Sequence, residues 1–187
     1  MEAFATYSDL ETRLNRVFST QERAWVTTLL EDASTYLRDE VIGLQVFPQT
    51  QSTFKAYPNH GQVVLPQQPV ISVDAVTRNG APIAYVLRDG VLFIQDNTAP
   101  VEITFTYGYE TAPESLKRWA CVLVSQALTT LELKLGLTVG GLSSVSIDDF
   151  KVAFADGGAD TGMQLSDRNI ALIRGQYSTG TQVVGAY

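Results

Sequence analysis

Four closely spaced prolines in the middle of the chain constrain its fold more than any other feature. They lie at positions 48, 58, 66 and 69, and the runs between them are rich in β-branched residues. Proline lacks a backbone N–H and clashes with the preceding helical turn, so no continuous helix can cross this region. The segment 46–110 is therefore predicted to be an inserted antiparallel β meander or barrel of about five strands.

Turn signals divide this β segment. Asn79-Gly80 and Asp89-Gly90 provide the residues that tolerate positive φ in tight hairpin turns. Around them, apolar and polar residues follow the two-residue period of a strand. The predicted strands are Gln62–Leu65, Val70–Arg78, Ile83–Leu87, Val91–Ile94 and Val101–Tyr107.

Two capping boxes mark the starts of helices within residues 1–45. In Ser8-Asp9-Leu10-Glu11 and in Ser19-Thr20-Gln21-Glu22, a hydroxyl precedes a carboxylate by three residues. The predicted helices span residues 8–17 and 20–42, each with an apolar stripe of 3.6-residue period. The first is expected to bury Leu10, Leu14 and Val17, and the second Val26, Leu29, Leu30, Ala33, Leu37 and Val41. The charged residues of the second helix, including Arg38, fall mostly off its stripe.

After residue 110 the helical period returns. Pro113, with Thr111 as a cap, predicts a helix over residues 114–134. One face carries Leu116, Trp119, Ala120, Leu123, Ala127, Leu128 and Leu131. Val122 and Val124 lie outside that face, so we expect more than one neighbour to bury this helix, within the subunit or between subunits.

The C-terminal part alternates between strand and helix signals. Residues 145–155 are predicted to form a late β segment, and Ser166 caps a last helix over 167–176. Residues 111–177 would thus complete the bundle begun by residues 1–45, and 178–187 form a flexible tail without charged side chains. The predicted class is α+β: a small helical bundle with an inserted β subdomain, a late β segment and a C-terminal helix.

Composition narrows the classes of function. The chain has 187 residues, is 45% hydrophobic and carries a net charge of −7, with a pI of about 4.6. A protein that binds nucleic acid through its phosphates needs a basic face, and the sequence contains no cluster of basic residues. The single cysteine excludes an intramolecular disulfide. No signal peptide and no apolar run of membrane-spanning length are evident, so we expect neither secretion nor membrane insertion.

The candidates for chemistry are weak. His60 lies in a Pro-Asn-His-Gly turn, which favours a solvated turn residue over a catalytic one. Cys121 lies in an apolar helix, which favours a core residue over a reactive thiol. The adjacent pairs Asp148-Asp149 and Glu31-Asp32 indicate solvated faces. We expect no catalytic residue, no metal ligand and no cofactor.

The loop at residues 156–162 contains Asp160-Thr161-Gly162, the triplet of aspartic proteases. It follows residues of turn composition, which favours an acidic turn over a protease site or a calcium loop. Aromatic residues that could stack bases in an oligonucleotide-binding barrel have no interleaved basic run, so packing roles are favoured. They are Tyr107, Tyr109, Phe150, Phe154 and Tyr177.

Several segments, in order along the chain, resemble the head-to-tail connector (adaptor) proteins of long-tailed bacteriophages. The opening residues 7–14 (YSDLETRL) and 29–38 (LLEDASTYLR) carry the start of the resemblance. Residues 64–70 (VLPQQPV), 107–109 (YGY) and 113–117 (PESLK) continue it. The segments 146–154 (SIDDFKVAF) and 165–167 (LSD) complete it.

The resemblance implies a structural, non-catalytic protein of the virion neck, made in the cytoplasm of the bacterial host. Such proteins form a ring, commonly a dodecamer, which docks on the capsid portal and extends the DNA channel towards a stopper or tail-completion protein. DNA would pass through the lumen without sequence-specific binding, a passage that an acidic wall favours. Another neck protein, a stopper or tail-completion protein, is the first alternative. An aspartic-type protease and a β-barrel nucleic-acid binder are the others.

A ring needs contacts between unlike surfaces of neighbouring subunits. We expect Trp119, Val122 and Val124 of the long helix to pack between subunits. The C-terminal tail is expected to contact the portal, with Tyr177, Val183, Val184 and Tyr187 as its anchors.

Overall fold

The computed structural model describes residues 2–95, 99–134 and 163–178. These residues form four α-helices and two antiparallel sheets, without a closed barrel among them, which confirms the α+β class. The chain divides into two compact units. The helical unit comprises Met1–Val41 and Ala112–Ala171, and the sheet unit comprises Ile42–Thr111 and Leu172–Tyr187.

The helices begin close to the predicted positions. They are α1 (Tyr7–Leu14), α2 (Thr20–Thr35), α3 (Glu114–Lys134) and α4 (Asp167–Tyr177). The segment Tyr36–Ile42 continues α2 as a π-helix. None of the helices in the described part of the chain is long and apolar enough to cross a membrane.

The N-terminus of α1 differs from the prediction. Its cap is Thr6, whose hydroxyl accepts a hydrogen bond from the Asp9 amide while the Asp9 carboxylate accepts one from the Thr6 amide. The predicted Ser8–Glu11 box is therefore wrong, because Thr6 and Asp9 have the same spacing and cap the helix two residues earlier. The helix also ends early, at Leu14. Of the three residues expected to be buried only Leu10 is, because Leu14 is 39% and Val17 78% exposed.

The start and the buried face of α2 are confirmed. Ser19 caps the helix and forms the capping box with Glu22. All six residues of the predicted stripe, from Val26 to Val41, are buried. A charged residue off the stripe is buried as well: the guanidinium of Arg38 lies 4.9 Å from the centre of the Phe4 ring and donates to the Glu2 carbonyl oxygen at 2.9 Å. Helical periodicity places Arg38 off the apolar stripe and therefore does not predict this tertiary contact.

Residues before α1 are held to α2 by a buried hydroxyl. Ser34 Oγ accepts a hydrogen bond from the Phe4 amide at 2.8 Å and donates to the Leu30 carbonyl oxygen at 2.6 Å. This side chain thus joins segments 30 residues apart.

We expect Ser34→Ala to lower the free energy of unfolding by about 1–2 kcal/mol, because it removes the acceptor of a buried N–H. Thr35→Ala is the matched control, since the exposed Thr35 hydroxyl bonds only within the same helix, to the Glu31 carbonyl. Its effect should stay within about 0.5 kcal/mol. Urea unfolding of both variants measures the difference, and equal losses would contradict the role given to Ser34.

The predicted core of α3 is also confirmed over its described side chains. Its extent, Glu114–Lys134, agrees with the prediction, and the Pro113 carbonyl accepts from the amides of Leu116 and Lys117. Leu116, Ala120, Leu123, Ala127 and Leu128 are buried. Leu131 lies outside the described side chains.

In its described residues, the sheet unit has seven strands in two sheets. They are β1 (Thr50–Ala56), β2 (Gln62–Val64), β3 (Val70–Arg78), β4 (Ala81–Pro82), β5 (Val86–Arg88), β6 (Val91–Phe93) and β7 (Val101–Tyr107). The large sheet has the order β1-β7-β3-β4, and the small sheet has the order β2-β6-β5. The turns at Asn79-Gly80 and Asp89-Gly90 have the predicted positive φ angles.

Two predictions for this unit are wrong. The expected strand Ile83–Leu87 does not form: residues 83–85 belong to no strand, and only Val86 and Leu87 lie in β5. Since β4 and β5 belong to different sheets, the strands do not form a simple meander. The chain between them leaves the large sheet after only two pairs with β3. In addition, β1 was not predicted: its sequence, TQSTFKA, is too polar to show an apolar strand face, and pairing with β7 along its whole length defines it.

The core of the sheet unit is formed by residues from the strands of both sheets. Phe105 is fully buried, with its ring centre 5.6 Å from that of Phe54 and 5.1 Å from that of Tyr107. The buried residues of this core are Val63, Leu65, Val76, Leu92, Ile94, Val101, Ile103, Phe105 and Tyr107.

The predicted last helix is confirmed, and Ser166 caps it through its hydroxyl and its carbonyl oxygen. The late β segment at 145–155 lies outside the described residues, as do the protease-like triplet at 160–162 and tail residues 179–187.

Candidate interaction surface

Register within the small sheet places apolar side chains on one of its two faces. Gln62, Phe93 and Val86 stand in one cross-strand row, and Val64, Val91 and Arg88 stand in another. These rows share a face, since residues two apart along a strand point to the same side. We call these six residues the outer small-sheet face.

The opposite face contributes to the core. Its row consists of Val63, Leu92 and Leu87, of which Val63 and Leu92 are buried. On the outer small-sheet face Val86 is 51% and Phe93 38% exposed, and Leu87 in the opposite row is 38% exposed as well. Contiguous exposed apolar side chains with a polar rim are typical of contact sites between proteins. This face was not predicted, because the expected strand 83–87 does not have the bounds of β5 (Val86–Arg88).

The outward face of the large sheet is polar. The Asp74 carboxylate accepts hydrogen bonds from the hydroxyls of Ser72 and Thr106 and from the amide of Gln51, at 2.7, 2.8 and 3.0 Å. These bonds, that from Ser72 first, hold the pKa of Asp74 below its ordinary value. The hydroxyls of Thr53 and Thr104 are 2.8 Å apart in the neighbouring row. This surface is hydrogen-bonded within itself and lacks apolar side chains at these positions.

The residues predicted to pack between subunits differ in exposure. Val124 is fully buried within the single chain, so this side chain is not presented for contact with another subunit. Trp119 and Val122 are half-buried, and the guanidinium of Arg118 lies 5.6 Å from the centre of the Trp119 ring. The assignment of Trp119 and Val122 to a subunit contact stays a prediction.

Of the four residues predicted to anchor the tail on the portal, the structure describes only Tyr177. Tyr177 is the last residue of α4 and is buried, so it belongs to the folded chain and not to a tail. Val183, Val184 and Tyr187 lie outside the described residues. Ser178, which follows α4, donates its hydroxyl to the Ile42 carbonyl oxygen at 2.8 Å.

In the described part of the chain, the candidate catalytic and metal-binding side chains do not form a cluster. His60 is exposed in a turn, with φ of 50°. Cys121 is buried in α3. Among residues 2–95, 99–134 and 163–178, no group of three side chains is placed to hold a metal ion.

Cys121 provides a test of this burial. Burial raises the pKa of its thiol from 9.0 to about 11. Since the thiolate is the reactive form, we expect negligible labelling of folded protein by a thiol reagent at about pH 8 and full labelling in urea.

The same shift links stability to pH. Because the folded-state pKa lies above the unfolded one, the neutral thiol contributes stability below pH 9.0 that is lost as the pH rises towards about 11. The difference in unfolding free energy between the wild type and Cys121→Ala should shrink over that interval. A difference that is constant with pH would show that the thiol titrates normally.

Comparison with known proteins adds no relative. No protein-family model matches the sequence, and a search of curated proteins finds no significant match.

Proposed function

We propose that this chain is the subunit of a head-to-tail adaptor ring, located in the neck of a virion, that docks on the capsid portal. The observation that carries the proposal is the outer small-sheet face. Val86 and Phe93 are half-exposed there although the same strands bury Leu92 completely. Burying these side chains in a subunit contact would add about 25 cal/mol per Å² of apolar area.

A closed ring requires two different surfaces on each subunit, because each subunit contacts its neighbours head to tail. The outer small-sheet face supplies one such surface, in the sheet unit. The half-buried residues Trp119 and Val122 of α3 supply a second candidate, in the helical unit. The resemblance of the ordered sequence segments to adaptor proteins supports the same assignment.

The electrostatics support a channel through which DNA passes without sequence-specific binding. A net charge of −7 repels the phosphate backbone at the short distances within a lumen. In this proposal the protein is not an enzyme, and its partners are its own copies, the portal and a stopper or tail-completion protein. The tail residues Val183, Val184 and Tyr187 are proposed to contact the portal.

Electron microscopy of the purified full chain, with and without the portal ring of the same virus, tests the proposal. We expect a closed ring coaxial with the portal. Val86→Asp should prevent ring closure or portal docking, because it places a charge at the most exposed apolar position of the outer small-sheet face. Thr104→Asp is the matched control, since it adds the same charge to the polar face of the large sheet, and it should assemble normally.

Other results would separate the alternatives. A ring that binds the tail tube and not the portal would replace the adaptor by a stopper or tail-completion protein. DNA binding that weakens steeply with salt would favour a nucleic-acid binder. Loss of a proteolytic activity in Asp160→Asn would favour a protease. A chain that remains monomeric beside the portal would overturn the proposal.

A further inference from the structure

The edge of the large sheet formed by β1 is open. Within the described residues β1 pairs only with β7, so the backbone groups along its other side have no strand partner. The pairing of its seven residues with β7 runs without a register shift, whereas that of β3 with β7 is interrupted twice. A long, regular edge strand is a template for a further strand.

The remaining described edges are poorer templates. The opposite edge of the large sheet, β4, has two residues and ends at Pro82. The edges of the small sheet, β2 and β5, have three residues each. Short strands, proline and charged side chains are the usual protections of sheet edges. Of these, β1 has only one charged residue, the exposed Lys55.

The core is also incompletely covered beside β1. Phe54 and Ala56 point towards the core of the sheet unit but remain only half-buried. A strand added to β1 would cover their exposed parts. The open edge therefore has an apolar side as well as unpaired backbone.

We infer that two copies of this chain pair through β1 about a two-fold axis at Thr53, which joins their large sheets into one continuous sheet. An antiparallel register centred on Thr53 is the one that pairs all seven residues of both strands. It places Thr53 opposite its own copy, Gln51 opposite Lys55, and Phe54 opposite Ser52.

The chemistry of β1 is complementary to itself in this register. The only charged residue, Lys55, faces the uncharged Gln51 and avoids its own copy. Lys55 is also ion-paired with Glu102 of its own chain at 3.8 Å, so its charge already has a counter-ion on β7. The two Phe54 residues become diagonal cross-strand neighbours with backbones about 7–8 Å apart, a separation that aromatic side chains can span.

This pairing concerns the free subunit and does not rest on the proposed function. A two-fold contact is isologous, whereas a ring closes through unlike surfaces. Failure of the inference would therefore leave the adaptor proposal in place, and failure of the adaptor proposal would leave the dimer.

Sedimentation analysis of the full chain with charge variants at the two-fold axis tests the inference. Thr53→Lys and Thr53→Glu should each weaken dimerisation by roughly three- to thirty-fold, because each places like charges opposite one another. An equimolar mixture of the two variants should restore dimers, since a heterodimer places opposite charges at the axis.

Controls on β7 separate this effect from a general change of the sheet surface. Thr104→Lys and Thr104→Glu add the same charges one strand inside the edge and should dimerise like the wild type. Circular dichroism verifies that all variants fold. A wild type that stays monomeric up to about 1 mM, or dimers insensitive to both charges at position 53, would overturn the inference.

Discussion

Phe105→Ala should lower the free energy of unfolding by about 3–5 kcal/mol. The Phe105 side chain is fully buried on β7, the strand that pairs with both β1 and β3. Its ring contacts those of Phe54 and Tyr107, so its removal leaves a cavity lined by residues of more than one strand. The cost combines lost apolar burial with the cavity that the neighbours cannot fill.

Phe93→Ala is the matched control, because it deletes the same side chain from the 38% exposed position on β6. Its effect on the isolated chain should stay below about 1 kcal/mol. Chemical unfolding followed by circular dichroism compares the two variants. Similar losses would show that Phe105 is not the centre of the sheet-unit core.

The second large effect is expected for Gly108→Ala. Gly108 has φ of +88°, and a Cβ atom there would lie 3.0 Å from the Pro48 carbonyl oxygen and 3.3 Å from that of Val46. Both obstacles are backbone atoms, which cannot rotate away as the end of a side chain would. The left-handed conformation alone costs a residue with a side chain roughly 1–2 kcal/mol, and the clash brings the expected loss to about 2–4 kcal/mol.

Gly175→Ala provides a control of opposite sign. Gly175 lies within α4, has no positive φ, and a Cβ atom there would meet nothing within 4 Å. Alanine at this helical position should raise the free energy of unfolding by about 0.5–1 kcal/mol. Thermal and urea unfolding of both variants measure the two signs, and a stable Gly108→Ala would contradict the close approach of the chain at residues 46–48.

Much of the fold follows from local patterns. The bounds of β3, β7 and α3 and the buried stripe of α2 agree with predictions from period, turns and caps. These signals act within a few residues, so the sequence carries them without knowledge of distant contacts. The capping box of α1 shows the limit of such signals, since two overlapping boxes fit the sequence and only one forms.

The candidate site was less predictable. The outer small-sheet face depends on which strands pair. The expected strand 83–87 gave no sign that the chain passes from the large sheet at β4 to the small sheet at β5. Trp119 and Val122 were identified from helical periodicity, but the same reasoning included Val124, which is buried. Periodicity gives the direction of a side chain around its helix and does not tell which neighbour covers it.

By itself, the sequence determined the class of the fold, the positions of most helices and strands, and the turns between them. Only the tertiary structure decided the two-sheet topology, the position of β1 at an edge among the described strands, and the burial of Arg38 against Phe4. The physical reason is range. Caps, turns and hydrophobic periodicity arise from interactions between residues close in sequence. Strand order depends on contacts between distant residues, such as Thr53 and Thr104, which lie 51 residues apart.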